Sequence, residues 1–110
     1  LAARQVSVDR FKGPTFSVVN PVTATVATSA TRVFRNNPER VLALMVNQGN
    51  VDGYVGFDTE VSATKGILIS ANGGYLILSA DEDGELVAQE IYAISPGGAA
   101  TWYFVEVRRK

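Results

Sequence analysis

Short apolar segments recur along the chain, and turn-forming residues cut each one off after about eight to twelve positions. The breakers are Gly13-Pro14, Asn20-Pro21, Asn36-Asn37-Pro38, Asn47-Gln48-Gly49-Asn50, Lys65-Gly66, Asn72-Gly73-Gly74, Asp83-Gly84 and Pro96-Gly97-Gly98. Between them lie segments rich in Val, Ile, Thr, Tyr and Phe, the residue types that suit a pleated, half-buried surface. No segment carries a convincing apolar stripe at helical spacing. The rhythm predicts an all-β protein, an antiparallel β-sandwich of about eight strands in a jelly-roll-like arrangement.

Arg40-Val41-Leu42-Ala43-Leu44-Met45-Val46-Asn47 is apolar at both odd and even positions, which predicts a central strand buried on both faces. Tyr54-Val55-Gly56-Phe57-Asp58 reads as a strand with Val55 and Phe57 on one face. Gly66-Ile67-Leu68-Ile69-Ser70 and Tyr75-Leu76-Ile77-Leu78-Ser79 flank Ala71-Asn72-Gly73-Gly74 and read as the two arms of a hairpin. Glu85 to Ile94 and Ala100 to Val107 complete the set. In the last of these, Tyr103, Val105 and Val107 share one face while Trp102, Phe104 and Glu106 share the other.

The N-terminal part differs. Residues 1–21 are more basic, carry Pro14 and Pro21, and hold only short apolar stretches. They read as an extended arm or a first strand, with one β-sandwich domain over residues 22–110. Residues 22–33 are small and β-branched, the composition of an edge strand whose flat surface accepts another chain.

A length of 110 residues suits one domain, and 46% hydrophobic with 19% charged residues is globular composition rather than disorder. The chain has neither cysteine nor histidine, which excludes disulfide frameworks, Cys/His metal sites, thiol nucleophiles and histidine-based triads. The net charge of −1 shows no basic excess, which argues against nucleic acid as a partner. No apolar run is long enough for a membrane-spanning helix, so no membrane partner is expected. The charges are unevenly spread. Residues 1–40 hold six basic residues against two acidic ones, residues 41–107 hold one lysine against nine acids, and Arg108-Arg109-Lys110 closes the chain. Such polarity lets the basic segments of one copy meet the acidic face of another, or simply keeps the surface hydrated.

Candidate chemistry is sparse. Asp81-Glu82-Asp83-Gly84-Glu85 is the one dense carboxylate cluster, but it lacks the ligand spacing of a calcium loop and reads as an acidic hairpin turn. The glycine pairs precede no helix, so they read as tight turns rather than phosphate loops. Tyr54, Tyr75, Tyr92, Trp102, Tyr103 and the five Phe residues include enough aromatic surface for a sugar-stacking platform, although alternating strand aromatics more often build a core. No catalytic residue, cofactor site or metal site is expected.

From Asn37 to Val107 the order of segments resembles the small β-sandwich virion proteins of tailed bacteriophages. The resemblance is carried by Arg40 to Asn47, Tyr54-Val55-Gly56, Gly66-Ile67-Leu68-Ile69, Gly73-Gly74 and Tyr92-Ala93-Ile94; residues 1–36 contribute nothing to it. It implies a non-enzymatic structural protein of the virion surface, above all a capsid decoration (cement) protein that binds and stabilises the coat-protein shell. The implied partners are the major capsid protein and further copies of the chain, with a homotrimer preferred by analogy with three-fold positions on icosahedral shells. Arg4, Arg10, Phe11 and Lys12 in the arm and Arg108, Arg109 and Lys110 in the tail are the candidate partner-binding residues. A head–tail joint or tail component, and a carbohydrate-binding module of a receptor-binding appendage, are the alternatives.

Overall fold

The computed structural model describes residues 16–109, with side chains from 21 to 108. Eight strands form two four-stranded antiparallel sheets. They are β1 (Phe16–Val26), β2 (Thr31–Phe34), β3 (Arg40–Asn47), β4 (Gly53–Gly56), β5 (Ile67–Ile69), β6 (Tyr75–Ser79), β7 (Ile91–Ile94) and β8 (Ala100–Arg109). Sheet A has the order β1-β8-β3-β6 and sheet B the order β2-β7-β4-β5. Successive strands therefore alternate between the sheets except at β4–β5, and first and last strands lie side by side. This is jelly-roll topology.

The inner faces meet in a core of Val26, Phe34, Ala43, Met45, Val55, Ile69, Leu78, Ile91, Ala93, Trp102 and Phe104. Each is the inward member of an alternating strand. In β8, Trp102 and Phe104 point in, as the period-two pattern requires. Trp102 and Phe104 stack with centroids 6.1 Å apart, and Phe104 meets Phe34 of the opposite sheet edge-on at 5.7 Å.

Several local expectations need correction. Strand β3 is central, between β8 and β6, but its second face is only half-buried: Leu42, Leu44 and Val46 retain exposure where Val41, Ala43 and Met45 have almost none. An apolar pattern reports what a face would tolerate, not whether a layer covers it. The segment 22–33 is not one edge strand. Its first part continues β1, the chain turns at residues 27–30, and β2 follows in the other sheet. Strand β1 also runs across the 21/22 boundary, since it begins at Phe16 and pairs with β8 as far as Val26↔Ala100.

Strands β5 and β6 are not paired with each other. Ser70–Gly74 carries the chain from sheet B to sheet A, held there by Asn72 N–H on the Gly49 carbonyl (2.8 Å) and Gly73 N–H on the Asn47 carbonyl (2.7 Å). Those bonds to the β3–β4 loop replace the ladder that a hairpin would have formed. Asn72 and Gly73 adopt positive φ (60° and 109°), which these residue types allow in a sheet-to-sheet crossing as readily as in a hairpin turn.

The acidic segment is not a hairpin turn. Ala80–Asp83 is a single helical turn, α1, followed by a 3₁₀ turn over Gly84–Ala88, so of the segment 85–94 only Ile91–Ile94 is strand. Ser79 caps α1 by accepting from the Glu82 N–H (3.3 Å), while Asp83 accepts from the Ser79 N–H (2.9 Å), a reciprocal cap that favours helix over hairpin. Phe57 lies just past the end of β4 and is half-buried, while Val55 is fully buried.

Candidate interaction surface

Sheet A presents its outer face as continuous cross-strand rows. The register places Thr23, Tyr103, Val46 and Tyr75 in one row and Pro21, Val105, Leu44 and Ile77 in the next. Leu42 and Val107 begin a third. None of these positions is charged. No described element packs over them, and Tyr75 on edge strand β6 is 64% exposed. Most monomeric sandwiches alternate apolar-in with polar-out. Here β3, β6 and β8 are apolar on both sides, so a broad apolar face has no described element over it.

The outer face of sheet B is mixed. Tyr54, Leu68, Tyr92 and Ile94 share it with Arg32, and Arg32 reaches Glu90 at 3.2 Å. Tyr92 donates to Glu90 (3.1 Å). Partial burial, reinforced by the bond to Glu90, pushes the Tyr92 hydroxyl pKa upward. Lys65 in the β4–β5 loop is also raised, first by its hydrogen bond to Glu60 (2.8 Å) and then by the charge of Asp58.

One end of the sandwich is pinned by Arg40. A β-bulge at the start of β3 turns both Arg40 and Val41 inward, against strict alternation. The Arg40 guanidinium donates to Glu106 (2.8 Å), to the Val87 carbonyl (2.8 Å), to the Gln89 carbonyl (3.1 Å) and to the Arg35 carbonyl. It also lies 4.8 Å from the Phe34 ring centroid. At the opposite end of β3, Asn47 donates to the Val51 and Ile69 carbonyls (2.8 and 3.2 Å) and accepts from the Gly49 N–H (2.9 Å). The two polar residues that bound the apolar run are thus internal staples. Asn47 shares the parity of Val41, Ala43 and Met45, so its inward direction was readable; the bulge that turns Arg40 inward was not.

A groove of about 400 Å³ opens between edge strands β1 and β2, lined by Val22, Val33, Phe34, Arg35, Asn37 and the Arg40–Glu106 pair. Its buried cation is already engaged by a carboxylate and backbone carbonyls, and among the described residues no nucleophile or second acid lines it. Among the described residues, no group of three or more His, Cys, Asp or Glu gathers where a metal could bind.

The candidate arm residues Arg4, Arg10, Phe11 and Lys12 lie outside the described residues, as does Lys110. Arg108 is half-buried on β8, in register with Arg40 and Val18, and position 109 ends that strand opposite Phe16. Among the described residues the tyrosines and tryptophan are divided: Tyr75 and Tyr103 are on sheet A, Tyr54 and Tyr92 on sheet B, and Trp102 is buried in the core.

No family model and no curated protein sequence matches the chain. Solved structures do. A protein of Bacillus endospore appendages, described as a novel family of disulfide-linked pili, is similar at TM-score 0.58 and 11% identity, over 90% of this chain and 91% of that one. A cupin superfamily protein from Desulfitobacterium hafniense is similar at TM-score 0.43 and 15% identity, over 86% and 68%. At such identities the first likeness bears on the fold alone, which it shares over nearly its whole length: a small β-sandwich.

Proposed function

We propose that this chain is a non-enzymatic structural subunit of a surface assembly, and specifically a capsid decoration protein that binds and stabilises an assembled coat-protein shell. The observation that carries the structural reading is the outer face of sheet A, whose named rows hold no charge and over which no described element packs. A protein that works alone gains nothing from leaving three strands apolar toward water, whereas a subunit buries that surface on assembly. The pilus-related neighbour is consistent with a jelly roll used as a building block. Without cysteine, this chain cannot use the disulfide linkage that describes that neighbour, so its contacts would be non-covalent area burial.

The capsid assignment draws on the sequence resemblance over residues 37–107. In this reading Arg4, Arg10, Phe11, Lys12, Arg108, Arg109 and Lys110 contact neighbouring subunits and the major capsid protein. Quantitative mass spectrometry of purified particles tests it. A simple whole-number ratio to the coat protein is the expected result. A few copies per particle would place the chain at the head–tail joint or tail instead, and absence from particles would overturn the virion reading.

A further inference from the structure

We propose that the outer face of sheet A is a self-docking face, on which two copies of this chain pack back to back about a two-fold axis. The pairing deepens the reading of the chain as an assembling subunit and rests on it.

Charge selects the occupant. Residues 41–107 hold nine acids against one lysine, so a two-fold contact made through an acidic patch sets like charges against each other. The α1 turn exposes Asp81 and Glu82, the 3₁₀ turn after it exposes Glu85, and the β4–β5 region exposes Asp58 and Glu60. The rows Thr23–Tyr103–Val46–Tyr75 and Pro21–Val105–Leu44–Ile77 contain no charge at all. A two-fold interface brings one patch against itself, so a patch without charge is the one that a second copy meets without penalty.

The area suits a weak, reversible pair. Four strands at roughly 4.8 Å and three same-face rows at roughly 6.8 Å give a footprint of roughly 400 Å² per copy. Two copies then cover about 800 Å², below the roughly 1,000 Å² of a stable interface and in the range of a transient one. Tyr75 and Tyr103 supply aromatic anchors in one row, the residue type that contributes most to such contacts. Twisted sheets packing face to face interdigitate such rows about 10 Å apart. The stoichiometry differs from the trimer expected by analogy with three-fold capsid sites.

Sedimentation analysis of the isolated full chain across micromolar to hundred-micromolar concentrations tests the pairing. The expected result is a concentration-dependent monomer–dimer equilibrium. Tyr75→Lys and Val105→Lys are each expected to weaken it at least tenfold with the circular dichroism spectrum of the monomer unchanged. Leu68→Lys, an exposed position on sheet B, is the control and is expected to leave it intact. A chain that stays monomeric, forms a trimer, or dimerises with indifference to Tyr75→Lys and Val105→Lys would overturn the proposal. Monomeric full-length chain that dimerises only after removal of residues 1–15 would assign the face to the chain's own arm, and also overturns it. Particle stoichiometry is measured separately, so a failed pairing and a failed structural role are distinguishable.

Discussion

Arg40 on β3 and Glu106 on β8 face each other inside the sandwich, the guanidinium Nε 2.8 Å from the carboxylate, with Arg40 almost wholly buried and Glu106 only 15% exposed. Breaking a buried pair leaves an uncompensated charge, which typically costs about 3–5 kcal/mol. Arg40→Ala is expected to destabilise by that order in urea unfolding. Arg40→Lys should also lose stability, because an ammonium cannot reproduce the fork that reaches Glu106 and three backbone carbonyls. A loss below about 1 kcal/mol for Arg40→Ala would show that the staple is dispensable.

Gly53 lies against the core tryptophan. A Cβ there would stand 2.3 Å from Trp102 Cζ2, and the indole is enclosed on its other sides. Gly53→Ala should therefore cost about 1–3 kcal/mol through overpacking and alter the near-ultraviolet dichroism of Trp102. Gly97→Ala, whose Cβ would meet nothing nearer than 3.6 Å, serves as the neutral comparison. Equal melting temperatures for the two variants would refute the packing argument.

Asn47→Leu removes two donors to the Val51 and Ile69 carbonyls and the acceptor for the Gly49 N–H. Stranding such buried groups costs about 1–3 kcal/mol. Hydrogen exchange should accelerate first in residues 48–52 and 69–74, where the loops lose their common anchor. Uniform acceleration across β1 and β8 instead would mean that Asn47 serves global stability only.

Alkaline pH should weaken the fold through Lys65 and Tyr92, both of whose pKa values are raised above 10.5 and 10.0 respectively. Below those values both groups are protonated in folded and unfolded chains, so the full contribution is present. As pH rises, the unfolded chain loses its protons first, and stability falls until the folded groups titrate as well. Melting temperature is predicted to decline as pH rises through about 10 and beyond, and less steeply in Tyr92→Phe. The same slope in the variant would remove Tyr92 from the account.

Removing residues 1–15 leaves the whole of β1 and its pairing with β8 in place, whereas a cut at residue 21 would take half the strand. The shorter deletion is expected to retain the melting temperature of the sandwich and to lose binding to coat-protein shells in a co-sedimentation assay. Retained binding would shift the contact away from Arg4, Arg10, Phe11 and Lys12.

The strand periodicity was legible because inward positions such as Trp102 and Phe104 alternate cleanly with Tyr103 and Val105. Turn residues marked where strands stop, yet not where the chain goes next: Asn72-Gly73 suits a hairpin and a sheet-to-sheet crossing equally, and bonds to Gly49 and Asn47 decide between them. Long-range partners are invisible locally, which also hid Arg40 behind a bulge and the Ser79–Asp83 cap behind a run of acids. The outer face of β8 was visible as Tyr103, Val105 and Val107. That β3 and β6 extend it into a broad apolar field emerges only from the registers.

The side-by-side placement of β1 and β8 has a mechanical consequence. Their outer ends, Phe16 and Arg109, are register partners at one end of the sheet, and the bonds between antiparallel strands run across the strand direction. Pulling those two ends apart loads the ladder like a zipper, one rung at a time. A load along the strands, drawing β1 and β8 past each other, would have to shear every rung at once. The same ladder therefore yields to one direction of pull and resists the other.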